Sequence, residues 1–306
     1  MPVQTRKMLF IYNPCAGQKR IARKLSDVVE RFCEGGFLPT VLATQEAGHA
    51  RTLARDYAAD YDLVVCAGGD GTLNETVDGI LDAKIDVPIA YLPCGSTNDL
   101  AATLKLPRDL DQAAANVLTG KPISLDIGLF NQRHFVYTAS FGAFTSVSYA
   151  TPQDLKNVLG HAAYFLEGVK NLSQIKPIYA KIHTDMGDFA GDFLFGSISN
   201  TTSLAGILTL NKSRVQLDDG KFELFLIDMP QNAIEFSQIL LNTAQQKYEG
   251  LVHLISVGSI EIETMEELEW TLDGEYEKGG RSFTIQNLQQ AIRLIVPSNL
   301  DMPNAM

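Results

Sequence analysis

The sequence lacks any apolar run long enough to cross a bilayer as a helix. Its first apolar stretch, Met8 to Tyr12, is too short for the core of a secretion signal, so we expect no targeting segment there. Cysteine is scarce, and its four residues form no CxxC pair, which argues against a disulfide framework and favours a reduced, cytosolic protein. The five histidines are scattered without zinc-ligand spacing.

Basic residues are also fewer than acidic ones, with 25 Lys and Arg against 36 Asp and Glu. A formal net charge of −11 over 306 residues argues against a nucleic-acid-binding protein, which needs a basic face to displace counterions. It argues equally against adhesion to anionic lipid by charge alone. What remains is an ordinary globular composition, 45% hydrophobic and 20% charged, in a chain long enough for two domains.

The most informative stretch is AGGDGTLNE, which joins an apolar run typical of a buried strand to a helix pattern. Such a turn lies at the carboxyl end of a strand, where open α/β sheets bind ligands. Its glycines allow close backbone approach, and the amides of Gly71, Thr72 and Leu73 would point at an anion. A capping box of Thr72 and Glu75 is the simpler interpretation. Because Asp70 would repel phosphate, we predict a nucleotide phosphate with Mg²⁺ between them.

Strand and helix patterns alternate up to about residue 120, which predicts a parallel sheet with helices on both faces. Three strand ends carry the polar turns NPCAG, GGDGT and PCGSTND, and these ends share one edge of such a sheet, so we expect the turns to converge on one ligand. We therefore predict an α/β nucleotide-binding domain at residues 1–121 and a β-sandwich domain at residues 122–306.

The second domain is predicted to consist of short strands interrupted by two amphipathic helices, at residues 155–172 and 234–241. Most such helices cover a core, and the alternative is that one of them lines an apolar entry for a lipid chain. The predicted strands are residues 123–130, 134–144, 178–184, 189–199, 222–227, 260–263, 283–285 and 292–296.

Taken together, the motifs resemble the diacylglycerol kinase catalytic-domain family, and more closely its soluble bacterial lipid kinases. The resemblance rests on NPCAG, GGDGTLNETVDGI, PCGSTNDLA, LGHAAYFLEGVK, LDDGKFEL and LDGE. It implies an ATP-binding domain and a lipid-substrate domain with the active site between them, and transfer of the γ-phosphoryl group of ATP to a lipid hydroxyl. GGDGT alone is shared with NAD kinases, which stay an alternative, as does a non-enzymatic nucleotide- or lipid-binding module.

Carried over by motif, the resemblance assigns roles to individual residues. Glu275 is the expected proton acceptor, and Asp70 and Asp99 would hold the Mg²⁺–nucleotide. Asp273 is expected on the same side of an extended chain as Glu275, with a plain hairpin turn as the alternative for Asp-Gly-Glu. The positions expected to contact ATP are Asn13, Pro14, Cys15, Ala16, Gly17, Thr44, Gly69, Asp70, Gly71, Thr72, Leu73, Asn74, Glu75 and Ser96.

A second Mg²⁺ site is implied by the same resemblance. It would use the Asp219 carboxylate, the backbone carbonyls of Gln216 and Lys221, and an outer-sphere Asp126, all oxygen ligands of the kind that Mg²⁺ prefers. The alternative for this stretch is an ordinary tight turn at Asp218-Asp219-Gly220.

Diacylglycerol is the expected acceptor, with phosphatidic acid as product, and phosphatidylglycerol or a sphingoid base as alternatives. Ala102 stands where many relatives carry arginine, and with a net charge of −11 electrostatics favours an uncharged acceptor. Asp78 replaces a frequent asparagine. The expected partner is a lipid at the membrane surface, reached from the cytoplasm at the inner face of the membrane. A homodimer stays an open alternative to a monomer.

Overall fold

The computed structural model describes residues 6–96, 98–143, 176–201, 203–204, 208–209 and 215–300. The helix predicted at residues 155–172 lies outside the described residues. The helices are α1 (Arg20–Glu34), α2 (His49–Tyr57), α3 (Asp70–Ala83), α4 (Asp99–Thr103), α5 (Leu110–Thr119) and α6 (Ala233–Ala244). None of them is long and apolar enough to cross a membrane.

The strands of the described residues fall into a sheet of 13 strands and a separate pair, β10 with β11. In chain order they are β1 (Arg6–Tyr12), β2 (Phe37–Ala43), β3 (Leu63–Gly68), β4 (Ile89–Pro93), β5 (Lys121–Phe130), β6 (Arg133–Phe135), β7 (Thr138–Gly142), β8 (Ile178–Thr184), β9 (Gly187–Ser199), β10 (Ser203–Leu204), β11 (Leu208–Thr209), β12 (Phe222–Asp228), β13 (Val252–Val257), β14 (Ser259–Leu272) and β15 (Glu275–Val296).

The first four strands pair in parallel, in the order β4-β3-β1-β2. Helices cover both faces, because alternate side chains of each strand point to opposite sides. Phe10 of β1 is buried in a cluster with Ile21 and Phe32 of α1, whereas its neighbour Ile11 is buried in a cluster with Val77 of α3. The carboxyl ends of β1, β3 and β4 therefore lie side by side between these helices.

A wholly parallel sheet beside a separate sandwich is the wrong description of the whole chain. One mixed, mostly antiparallel sheet runs through it, because β15 returns to the N-terminal strands. Leu294 of β15 pairs in parallel with Ile89 and antiparallel with Ile123. The domain boundary near residue 121 stays a prediction, and the sheet is continuous across it.

The C-terminal strands curl around an aromatic core. β14 pairs with β7 and β8, and both of these pair with β9, so the four strands close a ring. Trp270 of β14 belongs to this core, with Phe130 and Phe141 both 4.8 Å away between ring centroids and Phe283 at 5.3 Å. Each ring is buried, and contacts of this kind add to the hydrophobic stabilisation of the core.

Several predicted element boundaries are wrong, among them that of the strand predicted at 260–263, which extends to Leu272 as β14. The strand predicted at 134–144 is interrupted between β6 and β7, where the backbone turns its amides toward Asp273. The strands predicted at 283–285 and 292–296 are one strand, β15, with a register shift and a positive φ of 51° at Gln290. Helix α4 and strand β13 were not predicted, since each is short and lacks a clear periodic pattern.

Candidate active site

The polar turns after β1, β3 and β4 meet at one edge of the sheet, as the sequence pattern predicts. The amide of Asn13 donates to the Ala67 carbonyl at 2.8 Å, and the amide of Cys94 donates to the Gly68 carbonyl at 2.7 Å. Gly17 lies so close to the turn after β4 that a Cβ there would be 1.8 Å from the Cys94 carbonyl oxygen. Its φ of +51° also favours glycine, and this close contact packs the first turn directly against the third.

Helix α3 begins at the glycine turn. Its first hydrogen bond runs from the Leu73 amide to the Gly69 carbonyl at 3.1 Å. The amides of Asp70, Gly71 and Thr72 precede this bond and have no helical acceptor, so these three, and not that of Leu73, are available to an anion. The predicted capping box is wrong, because Gly69 is the N-cap and Thr72 lies inside the first turn.

The carboxylate of Glu75 caps a different helix. It accepts hydrogen bonds from the amides of Gly48 at 2.7 Å and Ala50 at 3.1 Å. Both amides lie at the start of α2, which has no side-chain cap of its own, so Glu75 satisfies them and complements the helix dipole. Contact between Glu75 and ATP stays a prediction, and its side chain has a structural role.

Asp70 presents an unpartnered oxygen. Its Oδ2 accepts from the Asn98 amide at 2.8 Å, while its Oδ1 is buried and has no hydrogen-bond partner among the described residues. Burial, and then the nearby Asp99, raise the pKa of Asp70 to about 6. Burial also raises the pKa of Asp99, against the opposing effect of Arg108. A buried oxygen without a donor, beside a second carboxyl, is an arrangement that a divalent cation would satisfy.

The turn after β4 is built by Asn98. This residue has a left-handed φ of 53°, and its Oδ1 accepts from the Gly95 amide at 2.9 Å and from the Tyr91 hydroxyl at 3.0 Å. Its Nδ2 donates to the Gly95 carbonyl at 2.7 Å. The PCGSTND motif contains Asn98 but does not predict this role, and nothing in the sequence points to Tyr91, because a strand tyrosine carries no local signal. Ser96, the predicted ATP contact, is exposed in the same turn.

Asp273 is buried, in the two-residue turn between β14 and β15. Its Oδ1 accepts from the amides of Tyr137 at 2.9 Å and Thr138 at 3.0 Å. Its Oδ2 accepts from the amide of Val136 and from Asn74 Nδ2, both at 2.6 Å. Burial raises the pKa of Asp273, and the four hydrogen bonds oppose that shift. The carboxylate therefore joins α3 to the break between β6 and β7.

Glu275 lies on the other side of that turn, with a side chain that is 52% exposed. Its Oε2 is 2.7 Å from Arg133 Nη2, and Arg133 Nη1 is 2.6 Å from Glu277 Oε2. A Cβ on Gly71 would lie 2.6 Å from Glu275 Oε1, so this oxygen faces the first turn of α3. The expectation that Asp273 and Glu275 share one side of an extended chain is wrong, because the tight turn separates them.

The remaining residues predicted to contact ATP lie around the same edge. Thr44 is buried at the end of β2, and its amide donates to the Tyr12 carbonyl at 2.9 Å. Asn13 Nδ2 is 3.4 Å from Thr72 Oγ1. The Leu73 side chain is buried in the core, which leaves only its backbone near the turn. The turn after β1 holds Pro14, Cys15 and Ala16, of which Cys15 is exposed.

Asp126, the predicted outer-sphere residue of the second Mg²⁺ site, is fully buried. Its Oδ1 accepts from the Gln290 amide at 2.7 Å and its Oδ2 from the Gly220 amide at 2.6 Å. Burial raises the pKa of Asp126. Since both oxygens already accept hydrogen bonds, the side chain anchors the loop before β12 and cannot readily bind a cation directly.

The loop itself offers several oxygen atoms. Asp219 Oδ1 accepts from the Lys221 amide at 3.0 Å, and the Lys221 carbonyl accepts from Asn287 Nδ2 at 3.1 Å. Gln216 lies in the same segment. Asn287 Oδ1 and Glu223 Oε2 are buried without partners among the described residues. Burial and the nearby Asp219 raise the pKa of Glu223 to about 8. These unpartnered oxygens fit a cation at this loop, and Asn287 and Glu223 were not predicted.

Another group of oxygen and nitrogen ligands, Asp78, Asp82 and His134, is close enough to surround a metal ion. Arg51 already occupies it, with Nε 2.9 Å from Asp78 Oδ2 and Nη2 2.7 Å from Asp82 Oδ2. His134 Nδ1 contacts the other oxygen of Asp78. The guanidinium neutralises this group, which ties α2, α3 and β6 together.

The sequence and the fold are both similar to those of proteins named as diacylglycerol kinases. Residues 7–130 match the family model for the diacylglycerol kinase catalytic domain. Over 96% of the chain, the sequence is 33% identical to a diacylglycerol kinase of Staphylococcus saprophyticus and 32% identical to one of Staphylococcus epidermidis, covering 97% and 93% of those proteins. A Bacillus anthracis crystal structure, of a protein proposed to be a diacylglycerol kinase, matches with a TM-score of 0.79, 26% identity and 97% coverage of both chains.

Proposed function

The chain belongs to the diacylglycerol kinase catalytic-domain family, and we propose that it transfers the γ-phosphoryl group of ATP to the hydroxyl of diacylglycerol, giving phosphatidic acid. The relatives that it matches over nearly their full length are diacylglycerol kinases. The proposal extends their activity to this chain and assigns its parts. Residues 1–121 would bind ATP, and residues 122–306 would bind the lipid.

One observation carries the proposal: Glu275 Oε1 faces the first turn of α3. The free amides of that turn suit a nucleotide phosphate, because a helix N-terminus offers unpaired donors and a positive dipole end. The hydroxyl that receives a phosphoryl group has to lie between the phosphate and a proton acceptor. Glu275 Oε1 would lie 2.6 Å from a Gly71 Cβ, beside those amides, which supports its role as that acceptor.

Mg²⁺ fits the same place. The unpartnered Oδ1 of Asp70 would face the cation, with Asp99 completing a negative surround for the nucleotide-bound metal. Mg²⁺ supplies charge neutralisation to the phosphate oxygens when bound. A second ion at the Asp219 loop would order the segment before β12, for which the unpartnered oxygens of Glu223 and Asn287 argue.

Phosphoryl transfer requires the protein mainly to position the two substrates and to neutralise the charge of the phosphate. The lipid hydroxyl oxygen forms a bond to the γ-phosphorus while the bond from that phosphorus to the β,γ-bridging oxygen breaks. Its electron pair leaves on ADP, and the hydroxyl proton passes to Glu275. Asp273 does not take the proton in this scheme, since four hydrogen bonds already engage its oxygens.

Diacylglycerol is the proposed acceptor because the chain has no excess of positive charge for an anionic headgroup. The enzyme would act from the cytoplasm at the inner face of the membrane, on lipid presented there. Whether it does so as a monomer or a homodimer is a separate question that a sedimentation measurement answers.

A competition assay tests the proposal. Purified protein, labelled ATP and Mg²⁺ are incubated with mixed micelles of diacylglycerol, phosphatidylglycerol and sphingosine, and with NAD in a separate arm. We expect label in phosphatidic acid, and at least about 100-fold slower labelling with the folded Glu275→Gln protein. Label mainly in another lipid overturns the acceptor, and label only in the NAD product overturns the lipid kinase assignment.

A further inference from the structure

The Arg133 side chain bridges two acidic residues of β15. Its guanidinium contacts Glu275 Oε2 at 2.7 Å through Nη2 and Glu277 Oε2 at 2.6 Å through Nη1. Residues two apart on a strand point to the same side, so both carboxylates face the one planar fork. Within the described part of the chain, Arg133 is the hydrogen-bond partner of the Glu275 side chain.

The residues on either side of Arg133 are hydrogen-bonded to neighbouring elements. It follows the turn between β5 and β6, where the Asn131 amide donates to the Thr284 carbonyl at 2.8 Å and Asn131 Oδ1 accepts from the Thr284 amide at 3.0 Å. On its other side, the His134 carbonyl accepts from Asn74 Nδ2 of α3 at 3.3 Å. The backbone on both sides of Arg133 is therefore tied to β15 and to the helix that begins at the glycine turn.

The ion pair of Glu275 Oε2 with Arg133 also determines where the other carboxylate oxygen, Oε1, points. With Oε2 taken by Arg133, Glu275 Oε1 is the oxygen that faces Gly71 and the nucleotide turn. The Glu275 side chain is otherwise half exposed, and a long exposed side chain without a partner samples several rotamers. Glu277 shares the guanidinium, so the positive charge is divided between the two carboxylates.

We propose that Arg133 is a positioning residue that holds Glu275 by Oε2, so that Oε1 alone receives the proton of the acceptor hydroxyl. This inference rests on the proposed function, in which Glu275 is the proton acceptor. Loss of Arg133 leaves the nucleotide turn intact and removes the defined geometry of the base. The defect is expected in kcat, with little change in the KM for ATP.

Steady-state kinetics of two variants test the positioning. Arg133→Gln is expected to lower kcat by about 10²-fold while the KM for ATP stays within about threefold, since a misplacement near 1 Å can cost that much. Arg133→Lys should recover part of kcat, because a single ammonium can still bind Oε2. The matched control is Arg281→Gln, which removes an exposed arginine of β15, the strand of Glu275 and Glu277, and should leave both constants unchanged.

A double variant separates this inference from the proposed function. If Glu275→Gln alone keeps the wild-type kcat, the proton-acceptor assignment fails. If Glu275→Gln is impaired, adding Arg133→Gln to it should cost little more, whereas two fully additive losses overturn the positioning role. Crystal structures give a readout independent of activity: Glu275 should occupy one position in the wild type and several in Arg133→Gln. A single unchanged position in the variant also overturns it.

Discussion

Replacing Gly71 by alanine separates the geometry of the proton acceptor from the stability of the fold. Gly71 is the second residue of α3, and its φ is not in the left-handed region, so alanine fits the backbone there. The added Cβ would stand 2.6 Å from Glu275 Oε1 and meet no other side chain or backbone within 3 Å. The substitution therefore acts on one atom, the oxygen proposed to take the proton.

The size of the effect follows from that distance. A carbon and an oxygen need about 3.5 Å, so the carboxylate has to move by roughly 1 Å, and a shift of this size can cost about 10² in kcat. Stability should change little. Alanine in place of a helical glycine stabilises by up to about 1 kcal/mol, and weakening an exposed ion pair costs at most about 1 kcal/mol. We expect the Tm to stay within about 3 °C of the wild type.

The assay measures kcat and KM with diacylglycerol micelles, ATP affinity by calorimetry, and Tm by circular dichroism. Gly191→Ala is the control, since a Cβ at residue 191 meets nothing within 4 Å. A folded Gly71→Ala protein with wild-type kcat would refute the placement of Glu275 Oε1 at the reacting hydroxyl. If ATP affinity falls instead while kcat at saturation is kept, the Cβ blocks the nucleotide, and Glu275 is not the group that the substitution disturbs.

Three further predictions follow from the carboxylates. Asp70→Asn should abolish transfer, yet stabilise the Mg²⁺-free protein at pH 7 by about 1–2 kcal/mol. Because the pKa of Asp70 is raised to about 6 in the folded protein, its ionisation lowers the free energy of unfolding as the pH rises from about 4 to 6. Urea unfolding of the variant at several pH values should lack that decrease. Glu275→Gln should lower kcat at least about 10²-fold while ATP binding in calorimetry persists. Asp273→Asn should destabilise by about 2–4 kcal/mol in urea unfolding, because its amide nitrogen would face buried donors, and an unchanged midpoint would contradict the hydrogen-bonding account.

The convergence of the three turns could be predicted from the sequence because it follows from local rules. Each turn comes directly after an apolar run, and parallel strands bring their carboxyl ends to one edge. The contact of Gly17 with the Cys94 carbonyl is the kind of close approach for which glycine is needed. The strand predicted before the AGGDGTLNE turn and the helix predicted after it are accordingly both present, as β3 and α3.

The partners of the acidic residues could not be predicted in this way. Asp273 accepts three hydrogen bonds from backbone amides more than 130 positions away, at the break between β6 and β7. Glu75 fits a local capping box, and the tertiary arrangement instead gives it the amides of α2. A motif identifies which residues matter, whereas their partners depend on packing between distant segments.

Helix α3 shows how such distant contacts build one site. Asp70, Asn74 and Asp78 are spaced four residues apart, so they form a polar stripe along one face of the helix. In order, they contact the Asn98 amide of the turn after β4, the carboxylate of Asp273, and the ring of His134 on β6. Burying polar side chains on a helix costs free energy of folding unless they form hydrogen bonds. Here each of the three residues forms one, and each bond joins α3 to a different segment of the site. Asp78 belongs to this pattern, because His134 and Arg51 both contact its carboxylate. The same helix thus orients the glycine turn at its first residue. Through Asn74 and Asp78 it also contacts β6, whose residue Arg133 forms an ion pair with Glu275.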